Sequence, residues 1–153
     1  MKKIIIYQVF VLIILGILWA QGPLDNIPTW LKEFELAINC IIVSTLAGVL
    51  YCMRAIYLNY SVQKNWDTHW EVWYYLRPIA SSITGLVAYI FLKASIIILE
   101  ADQVENAGNY GYLAFAFIAG FNVDQFLKKI EGLAKSSFGV EKSRASKEGE
   151  NDN

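Results

Sequence analysis

The sequence contains one histidine, two cysteines and three prolines, so few side chains are available for metal binding or acid–base chemistry. His69 lies between Asp67 and Glu71, but residues at i, i+2 and i+4 of a helix do not converge on one point. Cys40 and Cys52 fall within one apolar stretch, where we expect small apolar residues rather than a disulfide or zinc ligands. The sequence has no phosphate-binding loop, dinucleotide fingerprint or nucleophile elbow. We therefore predict no enzyme activity, no cofactor and no metal.

Charge is also scarce, since charged residues make up 18% of the chain and the net charge is −1. This balance gives no indication of a nucleic-acid partner. Hydrophobic residues reach 56% and are gathered into four stretches: Ile4–Ala20, Ala37–Met53, Ile79–Leu99 and a shorter one that begins at Tyr110. An apolar run of about 18 residues is typical of a membrane-spanning helix, because backbone groups in lipid must be paired internally. We predict an all-α membrane protein with four transmembrane helices in a lipid bilayer.

The loops between these stretches differ in charge. The first loop, Gln21–Leu36, has three acidic residues and one lysine, and the third, Glu100–Asn109, has three acidic residues and no basic one. Basic residues instead precede the first stretch, lie in the second loop and follow the fourth stretch. By the positive-inside rule, both termini and the second loop are predicted to be cytoplasmic. A cleaved signal peptide is the alternative for the first stretch, but bulky Leu18 at the −3 position favours an uncleaved anchor.

The second loop is unusually aromatic. Tryptophans spaced by four and then three residues fall on one helical face, which predicts a segment lying on the cytoplasmic surface or extending the third helix. One interpretation is an aromatic belt that sets membrane depth, and the other is a docking platform for a cytoplasmic protein. Pro78 is expected in the first turn of the third helix. The interface candidates are Trp66, Trp70, Trp73 and Arg77.

Small residues recur at helical spacing in the third and fourth stretches. Such residues allow close helix approach in lipid, where there is no hydrophobic drive between helices. The sequence leaves open whether these faces pack within one subunit or between subunits of a homo-oligomer. The packing candidates are Ser81, Gly85, Ala116 and Gly120, with Ala47 and Gly48 in the second stretch.

Two ionisable residues fall within apolar stretches, where a charge is costly. Counted from Ile79, Lys93 lies about 21 Å across a core of roughly 30 Å. Counted from Tyr110 on the outer side, Asp124 lies about 21 Å inward. We expect both side chains to extend toward their nearer membrane surface, with a solute or proton pathway as the alternative.

The fourth stretch is short, because Tyr110–Phe121 covers only about 18 Å as a helix. We expect this helix to continue through Leu127 into an amphipathic cytoplasmic extension, whose basic face suits anionic lipid. The last residues are hydrophilic and lack aromatics, which predicts disorder. The expected organisation is a four-helix transmembrane domain with its extension over residues 1–138 and a disordered polar tail over residues 139–153.

The run from Trp73 to Leu127 resembles small uncharacterised bacterial four-span inner-membrane proteins. The resemblance lies in Tyr74–Pro78, Gly85, Tyr89, Lys93, the acidic outer loop, Leu113–Phe115 and Ala119–Phe121. Lys93-Ala94-Ser95 departs from the glycine that this pattern usually has there. The resemblance implies a bacterial inner membrane and a four-helix subunit, and it supplies no activity.

Two functions are compatible with these features. The first is a non-enzymatic membrane protein that self-associates and anchors or signals to a cytoplasmic partner, with a sensor or effector in bacterial defence as an analogy. The second is an oligomeric ion or small-solute channel, which needs a polar stripe along a helix. The polar residues within the stretches form no continuous line on any one helix, so we prefer the first.

Overall fold

The structure is a computed structural model that describes residues 2–20, 32–94 and 109–139. Within these ranges every regular element is helical. The α-helices are α1 (Lys2–Ala20), α2 (Glu35–Ile56), α3 (Glu71–Lys93), α4 (Tyr110–Phe121) and α5 (Val123–Phe138). A π-helical turn, Tyr57–Val62, continues α2, and a 3₁₀ turn, Thr68–Trp70, leads directly into α3. The predictions for the end of the third stretch, most of the two acidic loops and the tail from residue 140 lie outside the described residues.

Three helical segments are long and apolar enough to cross a bilayer: Lys2–Ala20, Glu35–Val62 and Thr68–Lys93. The prediction of an all-helical fold, with helices long and apolar enough to cross a membrane, is confirmed for the described residues. The fourth predicted crossing corresponds to α4, whose 12 residues span about 18 Å. That length is short of a hydrocarbon core of roughly 30 Å, so a fourth crossing stays a prediction.

The third helical segment begins earlier than the hydrophobic pattern predicts. It starts at Thr68 rather than Ile79, so Pro78 lies inside α3 and not in its first turn. A proline inside a helix has no N–H to bond the carbonyl four residues earlier, here that of Tyr74. The Tyr74 carbonyl oxygen accepts a 2.8 Å hydrogen bond from Gln8 Nε2 of α1 instead. The acceptor that Pro78 leaves open therefore connects α1 to α3.

The core is formed by α2, α3 and α4, which pack against one another. Helices α2 and α3 are antiparallel, because Cys52 packs near Tyr74 at one end of the bundle and Cys40 near Tyr89 at the other. Helix α1 lies beside α2 and α3 and buries only Ile4 and Gln8. Its remaining apolar side chains are largely exposed, as a helix facing lipid requires.

By its internal contacts the chain divides into two compact units, Met1–Phe121 and Asn122–Asn153. The sequence predicted one helix running through this boundary, but Asn122 has φ −118° and ψ 53°, which are not helical values. Within the second unit, α5 ends at Gly139, whose φ of 66° is left-handed and whose N–H bonds the Lys135 carbonyl at 3.1 Å. Glycine is the residue that adopts this C-terminal conformation without a steric penalty.

Candidate functional site

A pocket of about 450 Å³ opens at the end of the bundle where α2 ends and α3 begins. Its volume falls within the usual range for small-molecule sites. We call it the aromatic pocket, and it is lined by Tyr51, Ala55, Asn59, Asn65, Trp66, Asp67, Trp70, Trp73 and Tyr74. Trp66, Trp70 and Trp73, the three tryptophans predicted as an interface, thus all line this pocket.

The chain between α2 and α3 is shaped by the π-helical turn. Such turns are rare and are frequently found at functional sites. Asn59 lies in this turn, where its carbonyl accepts a 3.0 Å bond from the Asn65 N–H and its side-chain amide donates to Tyr74 Oη at 3.2 Å. Lys64, between them, has a left-handed φ of 52°. These contacts fold the linker back over the start of α3.

The rings of the aromatic pocket support one another. Trp66 stacks on Tyr74 with centroids 5.6 Å apart and an interplanar angle of 15°. The ring of Trp73 contacts that of Tyr74 edge-on, with centroids 5.1 Å apart, and lies tilted against that of Tyr51, with centroids 5.7 Å apart. Trp70 differs from them, because it is 61% exposed at the pocket. The pocket therefore has a packed aromatic base and one exposed tryptophan.

Asp67 caps the segment that leads into α3. Its Oδ1 accepts a 2.9 Å hydrogen bond from the backbone N–H of His69 and lies 3.0 Å from His69 Nδ1. The backbone bond is the main reason that the pKa of Asp67 lies below its usual value. The carboxylate is consequently charged at neutral pH. His69, predicted as a solvated residue rather than a metal ligand, is 92% exposed.

Arg77 was predicted as an interface residue, and the structure buries it beneath the pocket at 4% exposure. Its Cζ lies 4.6 Å from the ring centroid of Tyr51 and 5.2 Å from that of Trp73. Its Nη2 donates to the Phe121 carbonyl oxygen at 3.2 Å. Cation–π contacts and a charged hydrogen bond thus hold α2, α3 and the end of α4 together.

The predicted packing residues meet inside one chain. Ser81 Oγ donates to the Gly120 carbonyl at 2.9 Å, and Ser44 Oγ donates to the Ser81 carbonyl. A Cβ at Gly85 would lie 2.8 Å from the Cys40 carbonyl oxygen. Ala116, the fourth packing candidate, packs with Cys40 and Tyr89.

Ser44 was not predicted as a packing residue, although it lies where α2 contacts α3 and α4. A Cβ at Gly85 or Gly120 would overlap Ser44 atoms, so Ser44 contacts both partner helices. In the sequence, Ser44 is marked only by being small and polar within an apolar run. Its position in α2, one turn before Gly48, is the signal that could have identified it.

The two predicted intramembrane charges lie at helix ends. Lys93 is the last residue of α3, is exposed, and donates from Nζ to Tyr89 Oη at 3.0 Å. Helix α3 ends at Lys93, with Ala94 at φ −77° and ψ 1° beyond it, whereas the sequence placed Lys93 inside an apolar stretch that runs to Leu99. Asp124 is exposed in the first turn of α5, where a carboxylate suits the positive end of the helix dipole.

Gln8 is a further polar residue that hydropathy could not single out. It is fully buried, and its Nε2 bonds the Tyr74 carbonyl while Tyr7 Oη donates to the Tyr75 carbonyl at 3.3 Å. Across the part of the chain that the structure describes, no group of three or more His, Cys, Asp or Glu side chains could hold a metal ion. No protein-family model matches the chain, and comparisons with curated proteins and with solved structures also find no match.

Proposed function

We propose that this protein is a non-enzymatic membrane protein with four crossings and cytoplasmic termini, which anchors or signals to a cytoplasmic protein through the face around the aromatic pocket. The observation that carries the proposal is the position of this pocket at the basic end of the bundle. Lys2 and Lys3 begin α1, Arg54 lies near the end of α2, and Lys64 follows it. Basic ends of membrane helices face the cytoplasm by the positive-inside rule.

The exposed surface around the pocket supports a protein partner. Trp70, which lines the pocket, is 61% exposed, and Val72, two residues further along the chain, is 64% exposed. Tryptophan is among the residues that contribute most to binding energy when a partner excludes water from it. A rigid base under an exposed tryptophan also reduces the ordering entropy that binding would cost.

We also propose that the protein self-associates, with the exposed face of α1 as the contact surface between copies. The small residues of α2, α3 and α4 contact one another within the chain, whereas the outer face of α1 has Phe10, Ile13 and Ile17 each more than half exposed. Either lipid or a second copy suits such a face. The bacterial inner membrane is the compartment implied by the sequence resemblance, and a role in bacterial defence rests on analogy.

A channel has less support, because the hydroxyls that would line it are used between or within helices. Ser44 and Ser81 bond carbonyls of neighbouring helices, and Thr84 Oγ1 donates to the Ala80 carbonyl at 2.8 Å. A conducting path needs polar groups that face water. The arrangement of these hydroxyls therefore favours the anchoring or signalling function over a channel.

The proposal is tested by placing a photoreactive benzoyl-phenylalanine at Trp70 of the full chain in living cells. Irradiation should give discrete protein adducts heavier than the 17.4 kDa chain, and a band at twice that mass would report self-association near the pocket. Trp19, which is 56% exposed on α1, is the comparison position, where the only protein adduct expected is the band at twice the chain mass that self-association through α1 would give. Identical adduct patterns at Trp70 and Trp19, or no protein adduct at Trp70, would contradict the proposal.

A further inference from the structure

The charge of the aromatic pocket has one sign. Among the described residues that line it, Asp67 is the only one with an ionisable carboxyl or amino group, and Asn59 and Asn65 supply neutral amides. The faces of aromatic rings carry partial negative charge, so each ring face that is open to the cavity adds to the negative charge of the Asp67 carboxylate. An anion would be repelled by this lining, and a cation would be attracted.

The size and composition of the lining restrict the kind of cation. Calcium takes six to eight oxygen ligands and magnesium demands octahedral oxygen geometry, whereas this pocket offers one carboxylate. Its volume of about 450 Å³ and its aromatic walls suit a cation that carries apolar groups. Aromatic side chains around an alkylated ammonium are the usual solution for recognising such a charge, because desolvation strengthens cation–π contacts.

Arg77 determines which rings can take part. Its guanidinium lies over one face of Tyr51 and one face of Trp73, so these faces already stabilise a buried charge. Tyr74 is covered on one face by Trp66. The exposed ring of Trp70 and the half-exposed carboxylate of Asp67, whose Oδ1 already accepts from the His69 N–H, are therefore the groups that remain open to an incoming cation.

We propose that the aromatic pocket binds an organic cation with an alkylated ammonium group, held by Trp66 and Trp70 on their ring faces and by Asp67 through its charge. This inference goes beyond the proposed function, because it concerns a small ligand rather than a protein partner. The same chemistry occurs in soluble quaternary amines and in choline lipid headgroups. The pocket lies at a predicted membrane surface, where both sources have access.

Binding is measured by intrinsic tryptophan fluorescence of the purified full chain in a maltoside detergent, titrated with choline. The matched ligand is 3,3-dimethylbutan-1-ol, which has the same shape with carbon in place of the charged nitrogen. We expect a saturable change with choline and at least about tenfold weaker binding of the neutral alcohol, equivalent to about 1.4 kcal/mol. Equal binding of the two ligands, or no saturation by choline up to about 100 mM, overturns the proposal.

Variants assign the site. Trp70→Leu and Asp67→Asn should each weaken choline binding about tenfold, within the range of a cation–π contact or a charge contact. Trp19→Leu removes an exposed tryptophan far along α1 and should leave the dissociation constant unchanged. Asparagine keeps a side-chain acceptor at the cap, so Asp67→Asn remains informative if another variant is unstable. Unchanged affinity in both pocket variants overturns the assignment.

Nanodiscs distinguish the two sources of the ligand. If the headgroup is the ligand, discs of phosphatidylcholine should weaken the apparent affinity for free choline relative to discs of phosphatidylglycerol. Equal affinity in the two discs assigns the pocket to a soluble amine. The photo-crosslinks at Trp70 are scored without choline, so the failure of either proposal leaves the other standing.

Discussion

Arg77 of α3 donates a 3.2 Å hydrogen bond from Nη2 to the carbonyl oxygen of Phe121, the last residue of α4. The last carbonyls of a helix have no partner within the helix and carry its negative dipole end. A buried guanidinium satisfies such a group and gains from the dipole. The rings of Tyr51 and Trp73 lie over the guanidinium and stabilise its buried charge.

The first prediction follows from this contact. Arg77→Met should lower the free energy of unfolding in detergent by about 2 kcal/mol, because a hydrogen bond to a charged donor is lost and a helix end is left open. Arg54→Met, at an exposed position near the end of α2, should have little effect and serves as the control. The measurement is thermal unfolding followed by circular dichroism. A more stable Arg77→Met protein would contradict a structural role for this arginine.

The second prediction concerns the carbonyl that Pro78 leaves open. Gln8→Leu should weaken the attachment of α1, since the bond from Gln8 Nε2 to Tyr74 is lost. Pro78→Ala restores an N–H that can bond the same carbonyl within α3. In that background Gln8→Leu should have a smaller effect, and a double-mutant cycle should give a coupling of about 1 kcal/mol. Additive effects of the two substitutions would show that Gln8 acts independently of Pro78.

The third prediction concerns the contact between α2 and α4. A Cβ at Gly120 would overlap both the backbone and the side chain of Ser44, so the backbones must separate. Gly120→Ala should therefore cost about 1–3 kcal/mol, as overpacking does. Gly111→Ala, in the same helix with nothing within 4 Å, should be neutral or stabilising. Equal thermal stability of the two variants would argue against this helix crossing.

The fourth prediction concerns pH. The pKa of Asp67 is lower in the folded chain than its usual value of 3.8, so its ionised form favours the cap at His69. This contribution is present above the unfolded pKa and is lost as pH falls through the lower folded value. Tryptophan emission from the adjacent pocket should therefore change reversibly below about pH 4. Asp67→Asn should remove that change, whereas Asp124→Asn should retain it, and retention of the change in Asp67→Asn would assign it to another group.

Hydropathy predicted three long apolar helices. Trp66, Trp70 and Trp73 line one pocket, but Trp66 precedes the 3₁₀ turn and is not part of the helix that their spacing predicted. The start of this helical segment at Thr68 agrees with the alternative in which the aromatic segment extends the third helix. Hydropathy alone placed the start at Ile79, because the preceding turns are polar and aromatic.

Pro78 was predicted in the first turn of the third helix, but it lies inside α3. The carbonyl of Tyr74, which Pro78 cannot bond, accepts a hydrogen bond from Gln8, a residue far away in the sequence.

Other features depend on contacts that no local pattern contains. The break at Asn122 follows the helix end where Arg77 bonds Phe121, a contact across 44 residues. The π-helical turn after α2 is tied by Asn59 to Tyr74, which also lies outside the local sequence. The aromatic pocket lies between the π-helical turn and the start of α3, the two segments that the contact of Asn59 with Tyr74 joins. Its presence could therefore not be derived from the spacing of the tryptophans alone.

The proposed engagement of a cytoplasmic partner is tested most directly by measuring on which side of the membrane the aromatic pocket lies. The native thiols, Cys40 and Cys52, are buried, so a cysteine introduced at His69, which is 92% exposed, reports on the pocket. A second cysteine variant at exposed Asn109, at the opposite end of the bundle, is the matched control. With a membrane-impermeant maleimide on intact cells, Asn109→Cys should be labelled and His69→Cys should be labelled only in inside-out vesicles. Labelling of His69→Cys in intact cells would contradict a cytoplasmic pocket and with it the proposed engagement of a cytoplasmic partner.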